Sequence, residues 1–109
     1  MSQPIQRPFN KPQPDISFDK AHFCFTGTFA FGTRKHCADA VVARGATAGS
    51  LKVKTNYLVI GIYATESWIH SFYGRKIEKA MEMRDESLPV GIIGEHNWVQ
   101  YLDKRYQPE

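Results

Sequence analysis

The sequence predicts a small α/β domain built on a parallel sheet, with elements in the order β-α-β-β-α-β-α. Three observations carry this. Short apolar runs, "HFCFTG" (22–27), "TNYLVIG" (55–61) and "LPVGIIG" (88–94), are bounded by Gly, Asn or Pro, as strands buried on both faces are. Between them lie "RKHCADAVVARG" (34–45) and "RKIEKAMEMRDE" (75–86), whose apolar residues recur at helical spacing. Strands and helices in alternation imply a sheet covered on both sides.

Taken in order, the chain begins with "MSQPIQRPFNKPQP", which holds four of the six prolines. It is polar and aperiodic, so a flexible or polyproline-like arm is expected over 1–18; a linker from an upstream domain would read the same way. The folded unit is expected over 19–104, with a tail at 105–109. The first strand, 22–27, ends at Gly27. Thr33 is placed to cap a helix that carries Cys37, Ala40, Val41 and Arg44 on one face, and Gly45 fits a left-handed cap after it. "ATAGSL" (46–51) is a weak strand interrupted by Gly49. "TNYLVIG" is the clearest strand of the chain. The connection 62–74 is aromatic and without period; its Trp68 reads as core, and His70, Phe72 and Tyr73 as sheet-edge packing or a binding surface. The second helix places Ile77, Ala80, Met81 and Arg84 together, with Lys76 and Lys79 on a neighbouring face. Pro89 opens the last strand, and "EHNWVQYL" (95–102) closes the chain as a helix with Trp98 and Leu102 one turn apart.

At 109 residues, 42% hydrophobic and 13% aromatic, the chain is one domain with a real core. No apolar run reaches the roughly 18 residues of a membrane span, and no basic-then-apolar leader opens it. Cys24 and Cys37 lack a paired motif, and His22, His36, His70 and His96 lack ligand spacing to them, so both thiols are expected to be buried, reduced and structural, with no metal. A cytoplasmic location is the expectation, nucleoid-associated in a bacterium. The net charge is only +3, but between Arg34 and Lys79 eight basic residues face Asp39, Glu66 and Glu78, and an acidic cluster (Glu82, Asp85, Glu86) follows. Such asymmetry fits an anionic partner on one face, or else a solvated surface with chance clustering.

The stretch "FTGTFAFGTRK" (25–35) has the glycine spacing of a Walker A loop, but Thr33-Arg34 stands where Lys-Ser/Thr is required. No strand ends in a magnesium-holding Asp: "YLVIG" ends in Gly61, and Glu95 after "VGIIG" is an unusual substitute. No G-x-G-x-x-G occurs either. Nothing calls for a cofactor.

From Ala21 to Leu102 the sequence resembles a BRCT domain. The features, in the right order, are "FTG" closing the first strand, "ARGA" where the family commonly has a Gly-Gly pair, "TNYLVIG" as third strand, "KIEKAMEM" as second helix and Trp98 in the last. "FTGTF" is similar to the BRCT domains of bacterial NAD-dependent DNA ligases and of the replication factor C large subunit. The resemblance implies a four-stranded parallel sheet ordered 2-1-3-4, helices one and three on one face and helix two on the other. It also implies a phosphate pocket of Thr26, Gly27 and Lys79, with "KAMEM" matched to the family's Lys-Ala-x-x-Leu, and Arg34 joining as in members that bind 5′-phosphorylated DNA ends. The chain departs from the family in having "MRDES" where a Gly follows helix two, and in a longer 62–74 connection.

The chemistry of these residues agrees with such a role. A Thr hydroxyl can donate, a Gly N–H can approach an oxyanion closely, and Arg offers a planar fork near a helix N-terminus. The plainer alternative makes Thr26 a strand-end hydroxyl, Gly27 a turn, and Arg34 and Lys79 solvated surface. No residue set looks catalytic. The expected function is therefore non-enzymatic binding of phosphorylated DNA ends or nicks in replication or repair, with Lys35, Arg75 and Lys76 as further backbone contacts. The alternatives are a module docking a phosphopeptide or a repair or replication protein, and an accessory domain of a ligase or nuclease.

Overall fold

The computed structural model describes residues 9–63 and 72–104, the side chains of 72, 73, 103 and 104 excepted. Its elements are β1 (His22–Thr26), α1 (Arg34–Val42), β2 (Thr47–Ala48), β3 (Tyr57–Ile60), α2 (Phe72–Asp85), β4 (Gly91–Gly94) and α3 (Glu95–Lys104). Every strand pair is parallel and the sheet order is β2-β1-β3-β4. The α/β class, element order and strand order expected from the sequence are those observed. The expectations for Trp68, His70 and the side chains of Phe72 and Tyr73 lie outside the described residues, as do those for 1–8 and 105–109.

Side chains alternate across a strand, and that alternation divides the interior in two. Phe23 and Phe25 of β1, Val59 of β3 and Ile93 of β4 face Cys37 and Val41 of α1 and Trp98 and Leu102 of α3. Cys24, Leu58, Ile60 and Ile92 face Ile77, Ala80 and Met83 of α2. Helices one and three thus share a face and helix two covers the other. Each Val, Leu, Ile or Phe buried this way contributes roughly 1.5–3 kcal/mol. Trp98 is fully buried, its ring edge-to-face with Phe25, Phe29 and Phe31 at centroid distances of 5.0, 6.3 and 5.1 Å. Both cysteines are free and buried.

The α1 boundaries follow their local signals. Thr33 Oγ1 accepts the His36 N–H at 3.0 Å, and Gly45 takes φ 94° beyond the helix end. Arg44, expected on the apolar face, lays its guanidinium 5.9 Å from the Phe18 ring centroid. In α2 the third core position belongs to Met83, not Met81, which is half-buried.

One expectation changes. The flexible arm foreseen over 1–18 is, from Phe9 onward, held against the sheet. Asn10 N–H donates to Ile92 O (2.9 Å). Its Oδ1 accepts from Ile92 N–H (3.0 Å) and from Arg84 Nη1 (2.6 Å), and Gln13 Oε1 accepts from Gly94 N–H (3.1 Å). Ile16 is buried. The segment satisfies the open edge of β4, whose backbone groups would otherwise be unpaired. Low hydrophobicity hides this, because the segment's few apolar anchors, Phe9 and Ile16, are spaced without period and the rest of the attachment uses side-chain amides.

Candidate phosphate site

The last row of the sheet at the C-terminal ends of the strands is Thr26, Ile60 and Gly94. In a parallel sheet these ends carry the loops that lead to helix N-termini, so ligand-binding groups collect there. Thr26 is fully buried, and its hydroxyl has no hydrogen-bond partner within the protein. Native structures leave few such groups, and each costs about 1–3 kcal/mol when unpaired. By alternation Thr26 lies on the same side of β1 as Cys24, toward α2. Gly27 follows, buried and at φ 92°, a conformation that L side chains avoid. The backbone at this point needs glycine.

Burial pushes the Cys24 thiol pKa up, and the positive charges of Lys76 and then Arg34 pull it back. Lys76 belongs to α2, the helix that covers the Cys24 and Thr26 side of β1, and Arg34 to α1 on the other face. Arg34 is the first residue of α1 and is exposed; Lys76 is half-buried in the second turn of α2. Lys79 is exposed. It stands three residues further from the α2 N-terminus, about 4.5 Å along the axis. The resemblance places Lys79 in the pocket and Lys76 on the DNA backbone; both stand on α2, which covers the side of β1 that holds Thr26. Arg75 is exposed. Lys35, also expected on the DNA backbone, meets Asp39 at 3.0 Å across one exposed helical turn, a pairing worth at most ~1 kcal/mol.

The loop between β1 and α1 is fixed by a residue that sequence reasoning weighed only as a poor magnesium ligand. Glu95, the first residue of α3, is 4% exposed. Its Oε1 accepts N–H bonds from Ala30 (3.1 Å) and Ile62 (2.8 Å), and its Oε2 accepts from Phe31 (2.7 Å). The carboxylate also sits at a helix N-terminus, where negative charge is favourable. Its charge reaches Cys37, whose pKa is pushed up to about 11 by burial and then by Glu95. The available signal was a charged residue placed directly after the apolar "GIIG" and opening an amphipathic helix.

The chain leaving β3 is locked to the same loop. Gly61 N–H donates to Thr26 O (2.9 Å), Ile62 N–H to Glu95, and Tyr63 N–H to Thr28 O (3.1 Å). Three consecutive amides thus clamp 61–63 to 26–28 and to α3, so Thr26 and Gly27 are held by backbone on both sides.

His22 belongs to a different environment. It is buried, with Nδ1 2.9 Å from Thr47 Oγ1 and Nε2 2.9 Å from Ser50 O, which makes it a satisfied structural histidine at β2. Among the described residues no three His, Cys, Asp or Glu side chains gather to hold a metal ion. Nor is any helix among them long and apolar enough to cross a membrane.

Set against protein-family models and against curated proteins, the chain matches none.

Proposed function

We propose that this chain is a BRCT module that binds phosphorylated DNA ends or nicks, without catalysis, in replication or repair. The observation that carries the proposal is the buried Thr26 hydroxyl, unpartnered at the end of β1 and followed by a glycine at positive φ. Lys76 stands on α2, which covers that side of the strand, and Arg34 opens α1 after the loop that Gly27 begins. An oxyanion there would accept from the Thr26 hydroxyl and from the Gly27 N–H, and Arg34 and Lys76 would offset its charge. The sheet order and helix placement agree with what the resemblance to that family implies. Because the hydroxyl is closed off from solvent, a phosphate reaches it only as side chains over the strand end part. Its hydrogen bond is then gained on binding instead of on folding. Such a module works where DNA is: the reading puts it in the cytoplasm, and on the nucleoid if the cell is bacterial.

Thr26→Val tests this with opposite signs on two readouts. Removing an unsatisfied buried hydroxyl at constant shape should raise the unfolding free energy by about 1 kcal/mol. The same change should remove the preference for a 5′-phosphorylated over a 5′-hydroxyl duplex in anisotropy titrations near physiological salt. A variant that is destabilised, or that keeps its phosphate preference, would refute the pocket.

The two lysines separate in the same titration. Lys76→Ala should weaken phosphate-dependent binding about tenfold, and Lys79→Ala by no more than about threefold, since exposed charges near DNA act mainly through screened attraction. The reverse ranking would restore Lys79 to the pocket.

A further inference from the structure

We infer that Tyr63 is a stacking platform for the terminal base of the bound end, so that the module takes free 5′-phosphorylated ends in preference to nicks. The inference rests on the proposed phosphate site and narrows its ligand.

Four large apolar side chains are exposed among the described residues: Val42, Val53, Ile62 and Tyr63. The first two are isolated surface residues and call for no explanation. Ile62 and Tyr63 are consecutive, 56% and 61% exposed, and each is anchored by a hydrogen bond from its backbone N–H. Ile62 N–H is bonded to the buried Glu95 and Tyr63 N–H to Thr28 O. A flexible loop would leave an aromatic side chain free to fold back on the surface. Here rigid backbone presents the ring outward. A group ordered in advance loses little entropy when a ligand covers it.

The position of the ring identifies the ligand. Tyr63 is hydrogen-bonded to Thr28, the residue after Gly27, so its backbone runs alongside the phosphate loop at roughly the 4.8 Å spacing of paired chains. A nucleotide whose phosphate sits at Thr26 and Gly27 has its sugar and base adjacent. Among the described residues, Ile62 lines a shallow apolar hollow with Ala30, Phe31, His96 and Val99, and Tyr63 is the exposed ring next to it in the chain. One such ring presents a face that suits one base. Stacking on tyrosine accepts any base, because every base has a π-face. At a free end that face is open. At a nick it is covered by the neighbouring base pair.

The experiment uses the full chain and three hairpin-closed duplexes: one with a 5′-phosphorylated end, one with a 5′-hydroxyl end, and a dumbbell whose 5′-phosphate lies at a nick. Wild type, Tyr63→Ala and Tyr63→Phe are titrated against each by anisotropy. Wild type should bind the phosphorylated end several-fold more tightly than the nick. Tyr63→Ala should lose roughly 5- to 150-fold on the end, the worth of one base–aromatic stack, while its nick affinity and thermal midpoint stay unchanged. Tyr63→Phe should bind as wild type does. A 2-aminopurine at the terminal position should be quenched by wild type and Tyr63→Phe but not by Tyr63→Ala. If phosphate matters and Tyr63→Ala still binds the end like wild type, the stacking inference falls alone. Equal wild-type affinity for end and nick overturns it as well. If wild type ignores the phosphate, the pocket fails and the stacking inference with it.

Discussion

Glu95→Ala is expected to lower the unfolding free energy by about 4 kcal/mol, read from urea denaturation. The carboxylate accepts three backbone N–H bonds, from Ala30, Phe31 and Ile62. Bonds to a charged acceptor are worth about 1.5–3 kcal/mol each. The sum is reduced because Ala30 and Ile62 lie in exposed residues, whose amides can recover some hydration. A domain of this size loses roughly 4–8 °C of midpoint per kcal/mol, so a fall of about 20 °C is expected. Against a total stability of about 5–15 kcal/mol, that is between roughly a quarter and most of the domain's margin. Glu95→Gln should cost about half as much: its carbonyl can still serve Ala30 and Ile62, while its amide nitrogen would face the Phe31 N–H, donor against donor. A loss below 1 kcal/mol for Glu95→Ala would mean that the loop is held by other contacts.

Gly61→Ala is expected to cost about 3 kcal/mol and to weaken phosphate-dependent DNA binding at the same time. A Cβ at this position would overlap the carbonyl oxygen of Thr28 and lie 2.6 Å from its carbonyl carbon. These are backbone atoms, so no rotamer change relieves the overlap. The two chains must separate, at the 1–3 kcal/mol usual for overpacking plus the strain on the bonds Gly61 N–H to Thr26 O and Tyr63 N–H to Thr28 O. Gly49→Ala is the control. Its Cβ would meet the His22 ring at 3.5 Å, ordinary contact at an exposed site, and it should stay within about 0.5 kcal/mol of wild type. Gly61→Ala with wild-type stability would show that the β3 exit yields easily, and the rigidity assigned to 61–63 would be wrong.

The strands β1, β3 and β4 were legible because buried parallel strands are apolar on both faces, and a short apolar run ended by Gly says so locally. The α1 cap was legible for the same reason: the Thr33 hydroxyl reaches the His36 N–H within one turn. Other features were less so. β2 is two residues long, since Thr47 and Ala48 are strand residues by pairing with His22 and Phe23 rather than by hydrophobicity. Met83 and Met81 are equally apolar, and only the packing of α2 on Leu58 and Ile92 decides which is buried. Lys76 and Lys79 share a helix flank, so helical spacing does not choose between them.

The sequence by itself determined the class of the fold, the order and nature of its elements, the glycines at its turns and the residues of β1's end, because those depend on hydrophobic period, backbone stereochemistry and contacts between near neighbours. The tertiary structure decided the rest: Glu95 as the anchor of two loops, Asn10 and Gln13 as the cover of the β4 edge, the Thr26 hydroxyl left without a partner, and an exposed Tyr63 tied by its backbone to Thr28. Each of these joins, or fails to join, groups distant in sequence. Polar satisfaction of that kind leaves no periodic trace in the chain and exists only once the backbone has been brought together.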